Sequence, residues 1–162
     1  MVIVILGVLI ALAAPGFHEL IARWRVIETT ESLQSTLYFA RAEAIKRGGQ
    51  VGIRKIANNT DGCTSATTSQ DWSCGWFVYA ASKSDGTWKS TDEVLMRVAA
   101  SPNLDVMNNR GGQEIVLNRW GNMSGLGAKG FNIKAASGTK AERGICVSSG
   151  GRIRVISNPP CV

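Results

Sequence analysis

The first 17 residues of the chain contain no charged and no strongly polar side chain. A helix that is apolar on every side needs lipid or other helices around it. Crossing the hydrocarbon core takes roughly 20 such residues, so the pattern favours a membrane helix whose apolar residues begin before Met1. The candidate membrane residues are Met1, Val2, Ile3, Val4, Ile5, Leu6, Gly7, Val8, Leu9, Ile10 and Pro15.

A secretory signal peptide is the alternative interpretation of this segment. The apolar run has no basic region before it, and Pro15 directly follows the small residues Ala13 and Ala14, where a peptidase would cut. The membrane helix is therefore favoured.

Beyond Gly16 the sequence changes to an amphipathic helical pattern. Apolar residues recur at helical intervals, with charged and amide side chains between them. The predicted apolar face consists of Leu20, Trp24, Ile27, Leu33, Leu37, Ala40 and Ala44, with Thr30 filling the gap. The pattern predicts a single helix from about Met1 to Arg47, bent at Pro15 and ended by Gly48 and Gly49.

Residues 49–162 are predicted to form one β-rich domain. Runs rich in Val, Ile, Phe and Tyr alternate there with Gly, Ser, Asn and Asp, which is typical of strands joined by turns. The predicted strands are 51–56, 76–81, 93–98, 114–117, 131–135, 144–148 and 152–156. About 115 residues suffice for one hydrophobic core. The predicted fold class is α+β, with an apolar helix half (1–17) and an amphipathic half (18–48) that packs on the β-rich head.

The excess positive charge lies in the last third of the chain. Residues 1–109 contain ten Lys or Arg and ten Asp or Glu, whereas residues 110–162 contain eight and two. The net charge of +6 therefore comes entirely from the C-terminal segment. Such a local potential attracts polyanions, nucleic acid or anionic lipid among them. Charge that only keeps the domain soluble is the alternative.

Residues 145–155 are predicted to form a β-hairpin that presents two arginines. Side chains alternate between the faces of a strand, so Arg152 and Arg154 share one face. Ile153 and Val155 share the other face, where they form an apolar scaffold.

The length of the hairpin loop decides whether the apolar residues meet. A three-residue loop, 149–151, with a glycine in the left-handed conformation puts Val147 opposite Ile153. Ile145 then lies opposite Val155, so all four apolar residues share one face. A two-residue turn would leave neither face consistently apolar, so the longer loop is favoured.

Four cysteines allow three disulfide pairings. Spacing favours two local pairs, each worth about 3 kcal/mol in the chain-entropy picture: Cys63 with Cys74, and Cys146 with Cys161. Four free thiols are the alternative, which the exported character of the chain disfavours. A bond to Cys161 would bring the tail 158–160 across or beside the two arginines.

These features, in this order, resemble the minor pilins of the FimT/FimU type within the wider GspH-like pseudopilin group. The resemblance is carried by the apolar helix and by ARAEAI (40–45), CGWFVY (74–79), FNI (131–133), RGICVS (143–148) and GRIR (151–154). It implies a type IV pilin-like fold and a place in the bacterial inner membrane and periplasm. It also implies assembly with other pilins into an extracellular pilus. The prepilin peptidase segment of such pilins is expected before Met1.

The resemblance is closest to FimT, a DNA-binding competence pilin with a C-terminal Gly-Arg-x-Arg element. It implies that Gly151, Arg152 and Arg154 bind extracellular DNA through its phosphate backbone during natural transformation. Three further basic residues are expected to widen the positive field: Lys134, Lys140 and Arg143. The alternative function is that of a tip or priming subunit of a pilus or type II secretion system, without DNA binding.

The sequence predicts no catalytic or metal site and implies no cofactor. His18 is the only histidine, and the cysteine spacings lack the close ligand pairs of a structural zinc site. The tryptophans are predicted mainly to pack, Trp76 in the core; for Trp72 and Trp88, which lie in polar sequence, contact with a partner is the alternative. No aromatic residue follows Phe131, so the hairpin is predicted to bind phosphates rather than bases.

Overall fold

The computed structural model describes residues 2–82, 85–124, 128–136 and 140–161, with side chains described from Phe17 onward. Helix α1 spans Val2–Arg47. It ends as predicted at Gly48 and Gly49, which have positive φ angles. The strands that follow are β1 (Val51–Lys55), β2 (Trp76–Ala80), β3 (Glu93–Val98), β4 (Leu104–Asn108), β5 (Glu114–Leu117), β6 (Lys129–Ala135), β7 (Glu142–Val147) and β8 (Ile153–Ile156). The α+β prediction, a long N-terminal helix on a β-rich head, is confirmed.

Within the described part of the chain, no helix is both long enough and apolar enough to cross a membrane. Met1 lies outside the described residues, as do the side chains of residues 2–16. The membrane interpretation of residues 1–17 therefore stays a prediction.

Helix α1 packs one face against the head. The residues buried on that face recur at helical spacing: Val26, Thr29, Thr30, Leu33, Thr36, Leu37, Ala40 and Ala44. Leu20 and Trp24, predicted to belong to this face, are 49% and 64% exposed. At 100° per residue both point away from the stripe that contains Val26 and Leu33, so their placement on the buried face is wrong.

The head consists of two antiparallel sheets, with strand orders β3-β2-β1-β5 and β4-β6-β7-β8. Trp76 is fully buried between sheet and helix, as predicted, and its Nε1 donates a hydrogen bond to Thr36 Oγ1 over 3.0 Å. Trp72 is also fully buried, edge-on to Phe131 with ring centroids 5.1 Å apart. Trp72 is therefore a packing residue, and the alternative of a contact residue is wrong for it. Trp88 is half-buried in a smaller cluster.

Strand β4 has no counterpart among the predicted strands. The last inward-facing residue of β4 is Asn108. Because this residue is polar, it interrupts the alternation of apolar and polar residues that would indicate a strand. Asn108 is fully buried because its side chain bonds the loop that follows. Its Nδ2 donates to the Gly111 carbonyl oxygen over 3.2 Å, and its Oδ1 accepts from the Arg110 N–H over 3.3 Å. The seven predicted strands are all present, with ends that differ by at most two residues.

Candidate nucleic-acid interface

Strands β7 and β8 form a hairpin closed by Ser148 and Arg152. The Ser148 N–H donates to the Arg152 carbonyl oxygen over 3.0 Å, which leaves a loop of three residues between them. The last of these, Gly151, has a φ of 78°, a conformation that favours glycine. The predicted loop is therefore confirmed, and so are the predicted pairs: Ile145 with Val155, and Val147 with Ile153.

The two arginines of the hairpin, Arg152 and Arg154, are exposed, as the alternation of the strand predicts. Their apolar neighbours Ile153 and Val155 pack against the core but are only half-buried. The reason is that β8 is the edge strand of its sheet, so no further strand of the described chain pairs with its outer edge. The expected apolar scaffold is thus buried on β7 and partly open on β8.

Helix α1 holds the hairpin turn through Arg41. Its Nη1 donates a hydrogen bond to the Gly151 carbonyl oxygen over 2.9 Å. A Cβ atom on Gly151 would lie 3.0 Å from Asn122 Oδ1 and 3.2 Å from Arg41 Nη1. The turn is therefore packed between α1 and the loop after β5, with little room for a side chain.

A cleft of about 220 Å³ opens beside the hairpin. Four basic residues line it: Arg110, Lys129, Arg152 and Arg154. In the described part of the chain, no acidic residue lines this cleft and none of these four residues forms an ion pair. Uncompensated like charges around a concave surface build a strong positive potential that attracts anions. We refer to these four residues and the space between them as the basic cleft.

The sheet brings the four residues together from distant parts of the sequence. Arg110 follows β4, and Lys129 begins β6, next to both β4 and the hairpin. The Asn109 N–H donates to the Gly130 carbonyl oxygen over 2.8 Å, and Lys129 pairs with Val147 on β7. Sequence reasoning missed Arg110 and Lys129 as site residues because their approach depends on β4 pairing with β6.

The structure has the two predicted disulfides, Cys63–Cys74 and Cys146–Cys161, each with 5.6 Å between the Cα atoms. Both cysteines of the second bond line the basic cleft. The Cys161 Sγ would lie only 3.1 Å from a Cβ on Gly130. The glycine thus leaves room for Cys161 against β6 beside the hairpin.

Lys134 does not reach the basic cleft. Its side chain lies on the outer face of β6, opposite Asp105 on β4. The Lys134 Nζ is 3.5 Å from Asp105 Oδ2, so a neighbouring carboxylate compensates its charge.

Lys140 and Arg143 also lie away from the basic cleft. They line a separate cavity against α1 together with Arg23. Arg41, which marks the hairpin turn, is 18 positions further along α1, or about 27 Å at 1.5 Å per residue. The cavity and the hairpin turn therefore contact different ends of the packed helix.

Residues 29–151 match the family model described as type II transport protein GspH. The chain belongs to the GspH family. No curated protein sequence matches it significantly. Two crystal structures of the type IV minor pilin FimU from Pseudomonas aeruginosa strain PAO1 are similar at 18% identity. The P21 form has a TM-score of 0.62 over 83% of this chain and 90% of that chain, and the P65 form 0.59 over 80% and 90%.

The chain thus combines membership of the GspH family with the fold of the FimU minor pilin structures. The GspH match includes Arg110 and Lys129 but ends at Gly151, directly before Arg152. The two hairpin arginines therefore lie outside the part of the chain that the family model covers.

Proposed function

We propose that this GspH-family protein is a minor type IV pilin of the FimT type that binds extracellular DNA and supports DNA uptake in natural transformation. The observation that carries the proposal is the basic cleft, in which four cations with no acidic partner among the described residues surround one concavity. Arginine presents a planar fork of donors that suits the oxygens of a phosphate group. Because phosphate contacts carry no sequence information, the binding is expected to be independent of sequence.

The number of cations in the cleft sets the expected salt dependence. Each phosphate that a Lys or Arg neutralises releases counterions, with a slope of about −0.9 per contact in a plot of log K against log salt concentration. Four contacts therefore predict a slope of about −3 to −4. Fluorescence anisotropy of a labelled duplex, titrated with the protein at several salt concentrations, measures this slope.

The decisive variant reverses both hairpin charges, Arg152→Glu with Arg154→Glu. It is expected to lose most duplex binding while its circular-dichroism spectrum and melting temperature stay nearly unchanged, because both side chains are exposed. A matched control, Lys134→Glu with Lys140→Glu, makes the same change of net charge at two exposed positions outside the cleft. The control is expected to keep most of the binding.

Unchanged duplex binding in the hairpin variant would contradict the proposal. The arginines would then belong to a contact with an acidic neighbouring subunit, and the tip or priming role would be the better hypothesis.

We also propose that the N-terminal part of α1 attaches the protein to the inner membrane and later packs against other pilins in an extracellular pilus. Four exposed apolar side chains support this, since they recur at spacings of three and four residues: Phe17, Leu20, Ile21 and Trp24. Removal of residues 1–17 is expected to give a folded protein that needs no detergent. The reason is that the head covers the buried face of the helix that remains. An insoluble product made under oxidising conditions would count against this architecture.

A further inference from the structure

Trp120 is the most exposed large apolar side chain of the described head, with 70% of its surface open to solvent. The other tryptophans of the head are buried or half-buried. Tryptophan is enriched at binding interfaces because its ring offers a large rigid contact surface. The exposed ring is therefore a candidate contact surface for a binding partner.

The turn that carries Trp120 has a fixed backbone. The Asn118 side-chain Oδ1 accepts hydrogen bonds from the Trp120 N–H over 3.0 Å and from the Asn122 N–H over 3.1 Å. The Gly121 N–H donates to the Asn118 carbonyl oxygen over 2.9 Å. Because these hydrogen bonds already order the backbone of the turn, binding of a partner to the ring costs little further backbone entropy.

This turn and the hairpin turn meet at Arg41. A Cβ on Gly121 would lie 2.5 Å from Arg41 Cγ and 3.2 Å from its Nε, whereas one on Gly151 would lie 3.2 Å from its Nη1. Trp120 and Arg152 are the chain neighbours of these two glycines. One arginine side chain thus lies between the turn that carries the ring and the turn that carries the phosphate-binding residues.

We propose that the Trp120 ring stacks on a base of single-stranded DNA whose phosphates lie at the hairpin arginines. Bases of a duplex stack on each other and present only their edges, whereas a single strand offers their faces to an aromatic ring. The inference rests on the proposed DNA binding and adds to it a preference for single strands. It also supplies the aromatic contact that the sequence of the hairpin itself lacks.

The test uses the full-length protein in detergent and three labelled probes of equal length: oligo(dT), an abasic single strand, and a duplex. The abasic strand keeps the phosphates but has no bases to stack. The parent protein is expected to bind oligo(dT) more tightly than either other probe. Trp120→Ala is expected to weaken oligo(dT) binding roughly 5- to 100-fold and to leave binding of the abasic strand and the duplex unchanged.

Two further variants make the result specific. Trp120→Phe keeps an aromatic face and is expected to retain most of the oligo(dT) affinity. Trp24→Ala removes another exposed tryptophan, 17 positions before Arg41 on α1, and is expected to leave the binding of all three DNA probes unchanged.

The stacking inference is overturned if Trp120→Ala binds oligo(dT) like the parent, or if it loses equal affinity for the abasic strand. Trp120 would then be a contact for a neighbouring subunit or a structural residue. The variant Arg152→Glu with Arg154→Glu tests the proposed DNA binding independently of the stacking inference. If that variant loses duplex binding while Trp120→Ala keeps its oligo(dT) affinity, only the stacking inference fails.

Discussion

The Arg41 guanidinium donates a hydrogen bond to the Gly151 carbonyl oxygen over 2.9 Å and so joins helix α1 to the turn of the β7–β8 hairpin. The two residues are 110 positions apart in the sequence. The contact fixes the turn directly before Arg152, on an edge strand that has a neighbour on one side only. Helix α1 therefore contributes to the shape of the basic cleft without lining it.

Replacement of Arg41 by alanine is expected to lower the free energy of unfolding by about 1.5–3 kcal/mol, the range for hydrogen bonds to charged groups. It is also expected to weaken DNA binding, because the turn before Arg152 loses its support. Urea denaturation and a duplex titration measure the two effects.

Arg23→Ala is the matched control, since it removes the same charge from the same helix. The ion pair of Arg23 with Glu19 is exposed on both sides and is worth at most about 1 kcal/mol. Equal DNA affinities in the two variants would show that the Arg41 contact does not position the hairpin.

The two glycines of the hairpin turn are expected to respond oppositely to alanine. Gly151 has a φ of 78° and close neighbours, so Gly151→Ala is expected to lower the free energy of unfolding by about 1–3 kcal/mol. Gly150 has no positive φ, and a Cβ there would have nothing within 4 Å. Gly150→Ala is therefore expected to be neutral or to stabilise by up to about 1 kcal/mol. Thermal unfolding of both variants tests this, and a Gly151→Ala protein as stable as the parent would contradict the turn geometry.

Asp92 is expected to make stability depend on acid pH. Its side chain accepts hydrogen bonds from the Ser82 Oγ over 2.6 Å, the Ser82 N–H over 3.0 Å and the Lys89 N–H over 2.7 Å. The bond from the Ser82 hydroxyl is the main cause that lowers the pKa of this carboxyl group below its ordinary value of 3.8. Its contribution to stability is therefore complete above pH 3.8 and is lost as the pH falls through the lowered pKa.

Comparison of the parent with Asp92→Ala isolates this effect. The variant is expected to melt at a lower temperature at neutral pH, and the difference is expected to shrink below about pH 4. A difference in melting temperature that stays constant down to the acid-unfolded range would show that the carboxylate charge is not the stabilising feature.

The β7–β8 hairpin was predictable because its information is local. The alternation of Ile145, Val147, Ile153 and Val155 permits one register only, and Gly151 supplies the turn. The long helix and the disulfide pairs were predictable for the same reason, since each depends on residues that are near in sequence.

The basic cleft was not predictable to the same extent. Arg110 reaches it through β4, and the pairing of β4 with β6 was hidden by the buried Asn108. Lys140 and Arg143 are close to Arg152 in sequence, yet they lie against α1 because the orientation of β7 carries them to the other end of the packed helix. Charge composition thus located the basic segment, and only the sheet topology decides which of its residues share a surface.

The two disulfides are expected to differ in their effect on DNA binding. Cys146→Ser with Cys161→Ser is expected to lower the free energy of unfolding by about 3 kcal/mol, the entropy value for a loop of this length. It also frees the tail that forms part of the wall of the basic cleft, so duplex affinity is expected to fall.

The Cys63–Cys74 bond closes a loop of similar length that does not line the cleft. Lys55 holds that loop as well: its buried Nζ donates to the Ala66 carbonyl oxygen over 3.2 Å and to that of Thr68. Because the two loops are similar in length, Cys63→Ser with Cys74→Ser is expected to lower the free energy of unfolding by a similar amount, about 3 kcal/mol. Its DNA affinity is expected to stay unchanged, because the Cys63–Cys74 loop does not line the cleft. Duplex titrations of both variants, at a temperature where both are folded, show whether loss of the Cys146–Cys161 bond alone weakens DNA binding. Equal affinities would mean that the tail plays no part in the cleft.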